Sequence, residues 1–202
     1  QNPDQIGYGY EKPGAPVNRP AGNMLTWHFI APNVHDFVWA ADPDYKHITQ
    51  EVDGFTAHFF YIENEYTHDT WPQLARMIPA AYRYIKAHYG AYAYKQYSFI
   101  QGGDGGMEYP MATLIMGNGK INGLYGLAMH EWMHSWYQGM LATNESLYPW
   151  MDEGFTTFAE SNVVHNTIDS LKNNNAQANS YAGYFALAAS PFEEPATTHA
   201  DH

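Results

Sequence analysis

His130-Glu131-Trp132-Met133-His134 places a glutamate directly after the first of two histidines that stand four residues apart. On an α-helix, residues four apart share a face, so both imidazoles reach one ion, and H-E-x-x-H on a helix is the pattern of a zinc site. Glu131 adjoins a ligand without sharing its direction. That places it to take a proton from a metal-activated water and later deliver it to a leaving amine. Two imidazoles do not complete such a site, because a catalytic zinc takes a third protein ligand and keeps one position open for water. Eighteen residues separate His134 from Glu153, which stands in the run Trp150-Met151-Asp152-Glu153-Gly154-Phe155 and opens a second helix expected antiparallel to the first. With His130, His134 and Glu153 as ligands, zinc lowers the pKa of its water toward about 7 and polarises a scissile carbonyl.

The elements that must position these groups are legible around them. A helix is expected from about 123 to 138, capped by Asn122 and ended by Gly139 in the left-handed position. Leu124, Leu127, Met129, Trp132, Met133 and Trp136 make it apolar on several sides, hence buried, and buried polar ligands need partners. A metal supplies them. A second helix is expected near 150 to 165. Upstream, Leu74, Met77, Ile78, Ala81, Tyr82 and Ile85 recur at helical spacing between Trp71-Pro72 and about His88, with a kink expected at Pro79 and a stop at Gly90. Strands are expected at Thr26–Ala31, Val34–Ala40, Phe55–Ile62, Tyr97–Gln101 and Ala112–Met116. Strands first and helices after read as an α+β fold. The glycine cluster from Gly102 to Gly106 can bring backbone close to a peptide, and the strand after it can pair with that peptide. Gln1 to Asn23, dense in Pro and Gly, reads as an extended arm.

Composition removes several other classes of function. The 202 residues carry a formal charge of -12 with only nine Lys and Arg, a surface that repels phosphate backbones, so no nucleic-acid partner is expected. No apolar run reaches the roughly 18 residues of a membrane span. Cysteine is absent, which excludes disulfides and thiolate zinc sites. It leaves the compartment unknown, an extracytoplasmic one (periplasmic or secreted) being slightly favoured. A content of 45% hydrophobic and 16% aromatic residues supplies a core, and the remaining histidines, including His28, His35, His58, His88 and His165, read as structural or surface groups.

His130-Glu131-x-x-His134, eighteen residues, then Glu153 within Asp-Glu-Gly-Phe resembles the aminopeptidase N family of gluzincin metallopeptidases. A second signature, Gly105-Gly106-Met107-Glu108-Tyr109, is similar to that family's Gly-x-Met-Glu-Asn exopeptidase motif. The departures are Tyr109 for Asn, and Asp152 where Asn commonly precedes the third ligand. The resemblance spans roughly residues 26 to 200. It implies a thermolysin-like zincin catalytic domain, a mixed β-sheet packed on helices with the H-E-x-x-H motif on the active-site helix. It also implies one zinc ion per chain and a peptide substrate with a free N-terminus, whose amine Glu108 binds beside Gly105, Gly106 and Met107. On this basis residues 1–50 are an extended arm and the end of an N-terminal β-rich region, and residues 51–202 are the catalytic domain, truncated at its C-terminus. The family's oxyanion-stabilising tyrosine is expected beyond His202, since neither Tyr181 nor Tyr184 has its surroundings, so this chain alone is expected to bind zinc and to cleave slowly or not at all.

Glu160, seven residues after Glu153, falls on the same helical face and is expected to hydrogen-bond the distal nitrogen of a ligand histidine. Two rival readings remain: a thermolysin-like endopeptidase with the same ligands, and a non-catalytic zinc-binding domain, for which Glu131 would have no use. A metzincin is disfavoured, because Tyr137 and Met140 stand where that motif needs Gly and His. Side-chain preference and oligomeric state are not encoded in any motif present.

Overall fold

Asp53 and Gly54 both adopt positive φ, 49° and 82°, and close a hairpin between β1 (Tyr45–Val52) and β2 (Phe55–Ile62). Such a two-residue turn matches the twist of antiparallel strands. The computed structural model describes residues 31–103, 105–172 and 174–198. The expected arm at Gln1–Asn23 and, apart from Ala31, the expected strand at Thr26–Ala31 lie outside them.

From β2 the chain passes through α1 (Thr67–His88) and returns as β3 (Gln96–Gln101), parallel to β2. β4 (Gly106–Tyr109) and β5 (Ala112–Ile115) form a second hairpin, in which β5 lies parallel to β3 and β4 occupies the sheet edge, giving the order β1-β2-β3-β5-β4. α2 (Ile121–His134) runs directly into a π-helical turn at Ser135–Met140, followed by α3 (Pro149–Thr167) and α4 (Ala178–Ala188). Among the described residues, a five-stranded mixed sheet and four α-helices make an α+β fold.

Several boundaries differ from the sequence reading for local reasons. Val34–Ala40 forms no strand, because Asn33 turns at φ 57° and no strand among the described residues pairs with the segment. α1 begins at Thr67, one turn before Trp71-Pro72, because the Asn64 side-chain oxygen accepts the backbone N–H groups of Tyr66 and Thr67 and so supports an earlier start. Pro72 and Pro79 are both inside the helix. Gly90 takes φ 95° just past the end of α1, as a helix stop requires. The residue before α2 is Lys120 rather than Asn122, with no side-chain cap. Gly139 lies within the π-helical turn, and the left-handed position after it is filled by Ala142 at φ 53°. β1 and β4 were not anticipated; β1 extends the sheet back to Tyr45, across residue 50.

Trp132 is fully buried on α2 among the rings of Phe55, Tyr82, Tyr92, Tyr97 and Phe99, with centroids 5.2 to 6.4 Å away. Truncating such a side chain to Ala costs about 3–5 kcal/mol, a large share of the roughly 5–15 kcal/mol that holds a domain folded. α1 contributes Trp71, Leu74, Ile78 and Ile85 from one stripe, all fully buried. Through this core α2 is clamped against α1, α3, β4 and β5. Its other face is free to carry polar groups.

Candidate metal centre

The last turn of α2 and the first turns of α3 bring three donor atoms together. Nε2 of His130 lies 3.1 Å from Oε2 of Glu153 and 3.2 Å from Nε2 of His134, and Nε2 of His134 lies 3.8 Å from the same Glu153 oxygen. Tetrahedral zinc with ligands at about 2.0–2.1 Å holds its donors roughly 3.3 Å apart, so the spacing fits that ion. The protonation pattern fits as well. Nδ1 of His134 is 2.7 Å from Oδ1 of Asp152, and because a carboxylate only accepts, the imidazole proton sits on Nδ1. Nε2 therefore turns its lone pair toward Glu153, leaving two acceptors that need a positive group between them. His130 and His134 reach this point from adjacent turns of α2, while Glu153 is more exposed and approaches from α3.

Glu131, about 100° around the helix from His130, is buried, and its Oε2 has no hydrogen-bond partner among the described residues. Burial, then the negative charge of Glu108, pushes its pKa up to about 7. A nearby cation would favour the ionised form and return it to the carboxylate range. Gly106 on β4 makes room for this side chain, since a Cβ at Gly106 would stand 2.2 Å from Oε1 of Glu131. Only glycine permits that approach.

Glu108 shares the Gly106 face of β4, as residues two apart on a strand do, and places Oε1 3.9 Å from Nδ1 of His134, beyond hydrogen-bond reach. Burial raises its pKa, against the lowering effect of His134. For the histidines, burial and the neighbouring His134 push His130 down. Burial also works against charge on His134, but the Asp152 hydrogen bond and the surrounding carboxylates outweigh it and raise its pKa. Met107 accepts a hydrogen bond at its carbonyl from Thr113 Oγ1, 3.0 Å away, and Gly105 precedes the strand in an exposed bend. A pocket of about 250 Å³ lies beside Glu108 and His134, walled by Tyr92, Tyr94 and Met111 and by the π-helical turn. There His35, read from sequence as a structural or surface group, contacts Gln138 at 2.7 Å.

Glu160 is half-buried beside Gly126, one turn of α2 before His130, and its hydrogen-bond partner is Ser161 at 3.5 Å. Among the described residues it makes no hydrogen bond or ion pair to either histidine. The distal nitrogen of His134 is instead met by Asp152 and, at 3.2 Å, by Thr156 Oγ1. Both residues went unassigned from sequence, although Asp152 and Thr156 stand at i, i+4 on the face of α3 next to Glu153, a spacing that could have pointed to them.

This fold is found in known zinc metallopeptidases. The chain superposes on the crystal structure of an M1 zinc metallopeptidase from Deinococcus radiodurans with a TM-score of 0.54 and 19% identity, over 77% of this chain and 35% of that one. A point variant of that protein gives a TM-score of 0.54 with 18% identity over the same shares. The variant bound to a Tyr-Ser-Ala substrate gives 0.52 with 19% identity, over 77% of this chain and 34% of that one. The chain thus spans about a third of the length of the structures it matches. Neither a protein-family model nor a curated protein matches it.

Proposed function

We propose that this chain carries the catalytic centre of a zinc-dependent aminopeptidase, which removes N-terminal residues from peptides. The observation that carries the proposal is the convergence of His130 Nε2, His134 Nε2 and Glu153 Oε2 within zinc-ligand spacing, beside the buried carboxylate of Glu131. Zinc held there would polarise a water molecule and the scissile carbonyl. Glu131 takes the proton from that water and returns it to the departing amine, and its Oε2, without a hydrogen-bond partner among the described residues, is available for both transfers.

The outer edge of β4 has no partner strand among the described residues, so an extended peptide can add to it by main-chain hydrogen bonds. Glu108, on the same strand and facing His134, supplies a partly buried negative charge for the cationic amine of the first substrate residue. The likeness to zinc metallopeptidase structures, one of them bound to Tyr-Ser-Ala, supports a peptide substrate.

Metal analysis and kinetics on paired peptides test the reading. Zinc is expected at one ion per chain, and Glu131→Gln should keep it while turnover falls about 10²–10⁴-fold. N-acetylated peptides should be cleaved far more slowly than free ones. Zinc-free wild-type protein would end the metallopeptidase reading, and equal rates on blocked and free peptides would convert it to an endopeptidase.

A further inference from the structure

Asp152 and His134 form the most enclosed polar contact at the site: the carboxylate is 4% exposed, the imidazole 1%, and their 2.7 Å separation is that of a charge-assisted hydrogen bond. Thr156 Oγ1 flanks the same nitrogen at 3.2 Å, so Nδ1 is enclosed by α3. Among the described residues no Lys or Arg comes within 4.0 Å of Asp152, whose single ion-pair partner is His134. A buried carboxylate is costly without positive charge to offset it. Here the imidazole is the group placed to offset it, by a charge of its own or by relaying that of a cation held at its other nitrogen.

We infer that Asp152 is a positioning residue for the metal, fixing the tautomer and ring orientation of His134 and strengthening Nε2 as a donor through the carboxylate's charge. This rests on reading the site as a zinc centre. An amide at this position could still accept from Nδ1–H and hold the same tautomer. What the carboxylate adds is negative charge on the far side of the ring, which makes Nε2 more basic and tightens its grip on a cation. The charge, more than the shape, is therefore the functional part of Asp152.

Asp152→Asn separates the two contributions, since it keeps the shape and the accepting oxygen and removes the charge. Zinc affinity, measured by competition with a chromophoric chelator, is expected to fall about 10–100-fold. The visible absorption bands of the cobalt-substituted protein should shift, while circular dichroism stays that of the wild type. Wild-type affinity and an unshifted cobalt spectrum in the variant would overturn the inference. If the variant does not fold, nitrogen NMR of zinc-loaded wild-type protein serves instead: an exchange-protected Nδ1–H signal from His134 is expected, and a proton found on Nε2 would overturn it. Failure of the wild type to bind zinc is a separate outcome, which removes the zinc-centre reading on which the inference stands and the inference with it.

Discussion

At the scale of single residues, the relation between Gly106 and Glu131 decides whether the proposed general base has room to work. The Glu131 carboxylate rests against the Cα of Gly106, so any side chain there meets Oε1 at 2.2 Å. The group that must give way is the end of a side chain, not backbone, and the fold should absorb the change while the carboxylate moves. Gly106→Ala is therefore expected to leave zinc content and urea midpoint near wild type and to lower kcat by about 10²-fold, the order of loss for a displacement near 1 Å. Steady-state kinetics beside metal analysis checks this. An unchanged kcat would mean that Glu131 does its work from some other position.

At the scale of elements, the β1–β2 hairpin carries a histidine that couples folding to pH. His58, on β2, lies 3.0 Å from His47 across the hairpin, and burial, then the neighbouring His47, pushes its pKa down to about 3 from 6.5. The unfolded chain takes up this proton below about pH 6.5, while the folded chain resists it until about pH 3. Stability contributed by neutral His58 is thus fully present above pH 6.5 and is lost as pH falls through that window. Urea midpoints are expected to drop between pH 7 and pH 5, with a smaller drop in His58→Gln; identical slopes would show that His58 titrates normally. The same hairpin was legible in principle. Asp53-Gly54 between two runs of alternating residues is a strong turn signal, but β1 itself (Tyr-Lys-His-Ile-Thr-Gln-Glu-Val) is polar enough to hide it.

At the scale of the whole molecule, the charge of -12 surrounds a centre that already gathers Glu108, Glu131, Asp152 and Glu153. Such a field concentrates cationic ligands and is screened by salt. Peptides with added lysines are expected to show higher kcat/KM than neutral ones at about 20 mM salt, with the advantage shrinking toward about 200 mM. A salt-independent ratio would confine recognition to short-range contacts. Elsewhere the molecule departs from what composition suggests. α4 buries none of its residues, so Tyr181, Tyr184 and Phe185, although aromatic, stand on the surface. No helix among the described residues is long and apolar enough to cross a membrane.

Local spacing by itself determined that His130 and His134 share a helical face, that Glu131 sits beside them, and that a second helix opens around Glu153. Helical period is a property of the backbone, and needs no tertiary contact to be read. The tertiary structure alone decided that Glu153 comes within 3.1 Å of His130, that Asp152 and not Glu160 meets the distal nitrogen of His134, and that β4 forms the sheet edge beside Glu131. Those relations depend on how α2, α3 and the sheet pack. Packing is set by the summed burial of side chains such as Trp132, Phe55 and Phe99 that are far apart in the chain, and no short motif contains that sum.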